Sequence, residues 1–229
     1  QHWSPATAGV IVAPPSNATG TSVAPGVLAE IAAEVRARDG FTLVDEIYLG
    51  LSYDGDRKSA ATLGDDVILV NSFSKYFHMT GWRLGWLVVP PDLVPAFEKL
   101  AQNVVICPSA LSQHAALACF TPESLDIFET RRGAFQQRRD FLLPAFERLG
   151  LSVPVRPDGA FYIYSDVSAH ASDSFDFATR LLNEAGVCAV PGLDFGDTDA
   201  HRYLRFSYAT ELSRLEEAMA RIGDFLGKA

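Results

Sequence analysis

Three short apolar runs, residues 10–13, 41–44 and 67–70, constrain the fold more than any other feature of the chain. Pro14 and Pro15 close the first, and Val27, Leu28, Ile31, Ala32 and Val35 then recur at helical spacing. Pro25 suits the first turn of that helix, and Gly40 stands where a left-handed cap would end it, so a helix is expected over 25–39. A strand, a helix of this length and a second buried strand make a parallel crossover unit, almost always right-handed. The chain is therefore expected to be an α/β protein with a mostly parallel sheet. Only residues 71–81 separate the third run from the next, 82–89, which is too short for a parallel return. That fourth strand is expected to be antiparallel.

Downstream the pattern turns helical. Residues 93–104 and 112–120 are amphipathic, and Thr121, Pro122 and Glu123 make a good helix start. The stretch 123–149 spaces Leu125, Phe128, Phe135, Leu142, Phe146 and Leu149 among many charges, as a connecting helix would. Pro144 removes an internal hydrogen bond, so a kink or break is expected near Leu143, with Gly150 ending the helix. Short strands at 159–164 and 203–208, with helices near 175–185 and 211–226, then describe a small α+β domain. The expected organisation is a large domain over 1–135, ending in the connecting helix, and a small C-terminal domain over 136–229.

A chain of 229 residues that is 48% hydrophobic can bury one large core or two smaller ones. Its formal charge of −9 argues against a nucleic-acid or anionic-membrane surface. Cys107, Cys119 and Cys188 sit at no metal-ligand or redox spacing, which favours reduced thiols in a cytoplasmic protein. His2, His114, His170 and His201 do not pair at ligand spacings, Asp194, Asp197 and Asp199 read as loop acids, and no metal is expected. No apolar run reaches membrane-spanning length.

The chemistry concentrates in residues 72–86, SFSKYFHMTGWRLGW. Ser72 and Ser74 can donate to phosphate oxygens, Arg83 can grip a phosphate with its planar fork, and Lys75 can condense with a carbonyl carbon. Most lysines are simply solvated, but the strand before Lys75, the serines beside it and Arg83 eight residues later favour chemistry. Asp45 directly follows the second apolar run, at the carboxyl end of a buried strand, where open α/β sheets bind ligands. From position alone it is as well read as a helix N-cap.

These residues together resemble the class I and II aminotransferases, fold-type I enzymes that use pyridoxal 5'-phosphate (PLP). The signature of a serine, a Schiff-base lysine and a downstream arginine lies in residues 72–86, and VDEIYLGLSYD, residues 44–54, resembles a second family segment. By that resemblance Lys75 is the Schiff-base residue, Asp45 pairs with the pyridine nitrogen and Tyr48 contacts the phenolic oxygen, while Ser72, Ser74 and Arg83 hold the phosphate. PPSNATG, residues 14–20, is similar to the family's Asn-Pro-Thr-Gly turn, which implies that Asn17 binds the phenolic oxygen and lies near the substrate carboxylate. Ala18 stands in place of the family's proline, so the Asn17–Ala18 peptide is either trans or a strained cis bond. Arg205, in YLRFSYA at 203–209, matches the arginine that clamps the substrate's alpha-carboxylate. GAFYIY at 159–164 and AVPGLDFG at 189–196 match neighbouring small-domain segments and carry structural roles only, and Glu46 reads as a packing or surface residue.

The resemblance implies a cytoplasmic homodimer that moves an amino group from an amino acid to a 2-oxo acid. A carbon-sulfur lyase of the same fold uses the same cofactor residues and is the nearest alternative. A third reading is a regulatory protein with a PLP-sensing, aminotransferase-like domain, although such regulators tend to carry Pro-Gly-Leu-Arg where this chain has MTGWRLGW. The match begins well inside the family's large domain, which implies a protein lacking its N-terminal part that on its own binds PLP weakly or is inactive.

Overall fold

In the computed structural model, described here for residues 2–55 and 57–227, the early apolar runs become strands as their lack of polar alternation requires. β1 (Gly9–Val12), β2 (Phe41–Asp45) and β3 (Val67–Ser72) pair in parallel, and β4 (Gly85–Val88) runs antiparallel to β3, giving the order β1-β2-β3-β4. The antiparallel fourth strand is as the short connection demands. It starts three residues later than the apolar run because Thr80–Trp82 forms a 3-10 turn that ends at left-handed Arg83.

The crossover helix α1 (Pro25–Arg36) has Pro25 in its first turn and stops three residues before the expected end. The left-handed residue there is Asp39 (φ 53°), not Gly40. Gly40 is needed for a different reason: a Cβ on it would lie 2.6 Å from the Trp3 ring. Leu28 of α1 packs with Val44, Ala60, Val67 and Leu69 in one core cluster, which fixes α1 on the sheet. A second cluster, Phe73, Met79, Ala116, Cys119 and Phe128, gathers under the segment that follows β3. α2 (Val94–Val104) buries none of its residues, whereas α3 (Ala110–Leu117) contributes Ala116 to the second cluster.

The long helix α4 (Pro122–Arg148) continues through Pro144 without the break expected near Leu143. Leu142, Ala145 and Phe146 are all nearly fully buried, so packing on both sides of the proline offsets the lost hydrogen bond. Gly150 (φ 70°) follows the helix as its left-handed terminator.

β5 (Tyr162–Asp166), β6 (Val190–Pro191) and β7 (Tyr203–Ser207) form a second, antiparallel sheet in the order β5-β7-β6. β5 begins three residues after its expected start because Ala160 is left-handed (φ 56°), a conformation no strand contains. α5 (Ser174–Ala185), capped by Asp173, and α6 (Leu212–Phe225) bury Leu181 and Ile222, and the sheet buries Ile163 and Leu204 as completely.

By its internal contacts the chain divides into two compact units, one of Gln1–Pro15 and Ser22–Thr130, the other of Ser16–Thr21 and Arg131–Ala229. The division falls at residue 130 where 135 was expected, and the second unit takes in Ser16–Thr21 as well. Backbone hydrogen bonds explain the latter: Asp158 N and Gly159 N both donate to Gly20 O at 2.9 Å.

Candidate active site

Within the first unit, the carboxyl ends of two adjacent parallel strands deliver the candidate residues. Asp45 ends β2 and pairs in register with Val70 of β3, whose last residue is Ser72. The Asp45 carboxylate is half-buried and accepts from Ile47 N at 3.0 Å, which closes a tight turn and sends the chain to Tyr48. Tyr48 is 2% exposed, and its carbonyl accepts from Leu51 N in the 3-10 turn Leu49–Leu51.

Lys75 comes three residues after β3 and is half-buried. Its Nζ stands 5.6 Å from the centre of the Tyr48 ring, within reach of a cation–π attraction. The turn that carries it is tightly specified. Ser74 N donates to Ser72 Oγ (3.0 Å), His78 N to Lys75 O (3.1 Å), Met79 N to Phe73 O (2.9 Å), and Thr80 Oγ1 to Ser74 O. His78 and Arg83 both hold left-handed backbone conformations, which are costly outside glycine and cluster at functional segments.

The groups expected to grip a phosphate differ in what they have to offer. The single donor of the Ser72 hydroxyl goes to Leu84 O (3.3 Å), because that oxygen also serves as the Ser74 turn acceptor and is held in place. Ser74 is buried. Arg83 is exposed and donates one Nη1 bond to Thr80 O (2.9 Å), which leaves further guanidinium N–H groups for an anion.

The second unit brings Asn17 and Arg205 together. Arg205 Nη1 donates to Asn17 Oδ1, and its Nε is buried with no hydrogen-bond partner among the described residues. The guanidinium carbon lies 4.1 Å from the centre of the Tyr162 ring and 4.5 Å from that of Phe195. Two rings thus border the guanidinium and add to its hold. The cis peptide bond of this region is Pro14–Pro15, so the Asn17–Ala18 bond is trans and Ala18 imposes no cis strain.

Sequence reasoning gave Tyr162 and Phe195 structural roles only, yet they are the rings against Arg205; their place beside the YLRFS strand was the available signal. Glu46 is not a surface residue. It is 5% exposed, and its carboxylate accepts from Ser59 Oγ (3.0 Å) and Ala60 N (2.6 Å), partners 13 and 14 residues away that no local pattern reveals.

Against known proteins, residues 2–222 match the family model described as aminotransferase class I and II. The chain is 42% identical to the valine–pyruvate aminotransferase of Mycobacterium tuberculosis, over 97% of its own length and 58% of the relative's. It is 37% identical to the aspartate/prephenate aminotransferase of Thermus thermophilus, over 98% of its length and 58% of that protein's. A crystal structure of an aminotransferase from Mycobacterium tuberculosis matches all of this chain and 59% of its own, with a TM-score of 0.95 at 41% identity. The chain thus spans somewhat over half the length of these relatives. Members of this family are PLP-dependent, and a match over 2–222 together with these identities shows that the chain belongs to the class I and II aminotransferases.

Proposed function

We propose that the chain acts as a PLP-dependent aminotransferase, moving an amino group from an amino acid to a 2-oxo acid. The observation that carries this reading is the Lys75 amine 5.6 Å over the Tyr48 ring, beside the carboxyl ends of β2 and β3. The donor set fits the cofactor group for group: an amine for its aldehyde, the Asp45 carboxylate for its ring nitrogen, the Tyr48 phenol for its phenolic oxygen, and Ser74 with Arg83 for its phosphate.

When bound, PLP supplies an aldehyde that condenses with amines and a protonated ring that withdraws electrons from the substrate's alpha carbon. Lys75 Nζ would hold the aldehyde carbon and would move the proton at the substrate's alpha carbon. Asp45 keeps the ring nitrogen protonated, and Tyr48 donates to the phenolic oxygen. Ser74 and Arg83 anchor the phosphate, joined by Ser72 once its hydroxyl turns from Leu84 O. Arg205 takes the substrate's alpha-carboxylate on the edge of its guanidinium, since Tyr162 and Phe195 lie against it and its buried Nε lacks a partner among the described residues. Asn17 orients that guanidinium.

We place the protein in the cytoplasm as a homodimer. Support for the first comes from Cys107, Cys119 and Cys188, all free thiols. Support for the second comes from large apolar side chains at the surface, among them Val104 (77% exposed) and Ile106 (79%). The test is incubation with PLP, valine as amino donor and pyruvate as acceptor, the pair named for the Mycobacterium tuberculosis relative. Alanine should form as the cofactor cycles through its amine form. Release of ammonia and pyruvate from an S-substituted cysteine, whose Cβ–S bond breaks by elimination with the thiol departing and the cofactor left as the aldehyde, would instead point to a lyase.

A further inference from the structure

Tyr76 follows Lys75 directly and joins three separate parts of the first unit. Its hydroxyl donates to Glu129 Oε1 of α4 at 2.6 Å, and the Glu129 carboxylate receives both arms of Arg57, at 2.7 and 3.3 Å. Its ring lies on Gly50, where a Cβ would fall 2.6 Å from the ring carbon Cγ, so only glycine permits this seat. Gly50 is two residues beyond Tyr48, in the 3-10 turn that Tyr48 initiates. The ring of Tyr76 therefore holds the Lys75 segment against the turn that presents Tyr48. We propose that Glu129, acting through the Tyr76 hydroxyl, is a positioning residue that fixes the Lys75 amine for its reaction with the cofactor aldehyde.

Ring packing alone would not fix it. Phe77 and Phe128 flank Tyr76 at 5.1 and 5.5 Å between ring centres, but Gly50, Arg57, Tyr76 and Phe77 also border a cavity of about 430 Å³, which gives the ring room to swing. The hydroxyl tether removes that freedom. Burial, and then the hydrogen bond to Glu129, push the Tyr76 phenol up to about 12, so it stays a protonated donor across any ordinary working pH. Glu129 raises the Arg57 guanidinium still further above its usual value, and Arg57 thus remains a fixed cation behind the carboxylate. A charge-assisted hydrogen bond of this kind is stronger than a neutral one and suits a support that must not slip.

The inference rests on Lys75 being the residue that captures PLP. The test uses the whole chain, with Tyr76→Phe and Glu129→Gln as independent variants. Each is incubated with rising PLP, trapped with borohydride, and the Lys75 adduct quantified by peptide mass; hydrogen exchange over residues 73–80 is followed without PLP. Both variants should trap at a maximal rate lower by about tenfold, with the half-saturating PLP concentration within about twofold of the parent, and with faster exchange over 73–80. Unchanged maximal rates, in a parent that does label Lys75, would overturn the positioning role. So would a joint loss of rate and affinity with exchange raised along the whole chain, the mark of a purely structural residue. Labelling of the parent at another lysine would remove the functional reading itself and is distinguishable from either.

Discussion

Arg205 Nη1 donates a hydrogen bond to Asn17 Oδ1, joining residues 188 positions apart in the sequence. Asn17 can receive it because its turn is held by backbone bonds, Gly20 N to Ser16 O and Ser16 N to Thr21 O, each 2.9 Å. A lysine at 205 would reach Asn17 but could neither present two parallel donors nor lie flat against Tyr162 and Phe195. Arg205→Lys should therefore raise the half-saturating concentration of amino donor by about tenfold or more, measured in the valine–pyruvate assay. Capture of PLP at Lys75, measured by borohydride trapping, should be unaffected.

Glu46 secures the backbone between Asp45 and Tyr48. Its carboxylate is pinned by Ser59 and Ala60, while its own backbone bonds Val70 O through N–H and receives Leu49 N on its carbonyl. Glu46→Ala leaves a buried amide at Ala60 without its acceptor, which should cost about 2 kcal/mol in urea unfolding. Ser59→Ala removes both the donor to Glu46 and the acceptor for Ala61 N but leaves the Ala60 amide its carboxylate, and should cost less than Glu46→Ala.

Much of this was legible in the sequence, and what was not has a physical reason. Strand identity, the crossover and the antiparallel turn of β4 follow from local apolar patterning and loop length. The candidate residues Asp45, Tyr48 and Lys75 could be nominated because they sit in contiguous motifs, and the fold places them at or just after the ends of adjacent strands. By contrast, left-handed Asp39 and Ala160 gave no local sign, and both moved element boundaries. Continuity through Pro144 depends on burial of its neighbours, a tertiary fact. Tyr76, Glu129 and Arg57 lie 53 and 72 residues apart in their pairings, so their network was invisible until the chain was folded.

Arg139 is 1% exposed, yet it is charged. It meets Asp140 at 2.9 Å and donates to Pro157 O at 3.0 Å, which anchors the loop whose amides hold Gly20. Arg139→Ala should lower the stability of the chain by about 3 kcal/mol, through lost packing and an unpaired carbonyl. Hydrogen exchange at the Asp158 and Gly159 amides should accelerate in the same variant.

Asp166 predicts a specific acid response. Burial alone would raise its carboxyl, but bonds from Ser168 and from Arg202 outweigh that and hold it below the usual carboxylate range. A depressed folded value contributes stability that is fully present above the unfolded carboxyl value near 4 and is lost as pH falls through the lower folded one. Asp166→Asn should thus lower thermal stability at pH 7 and flatten its decline below about pH 4, a comparison that melting curves across pH 2–7 can make.

The central claim is that Lys75 captures the cofactor aldehyde. Its direct measurement is borohydride reduction of the whole chain after incubation with PLP, followed by peptide mapping that separates Lys75 from Lys58, Lys99 and Lys228. A single phosphopyridoxyl adduct on Lys75, abolished by Lys75→Ala, is the predicted result. An adduct that falls on another lysine, or that spreads evenly over all four, would contradict it.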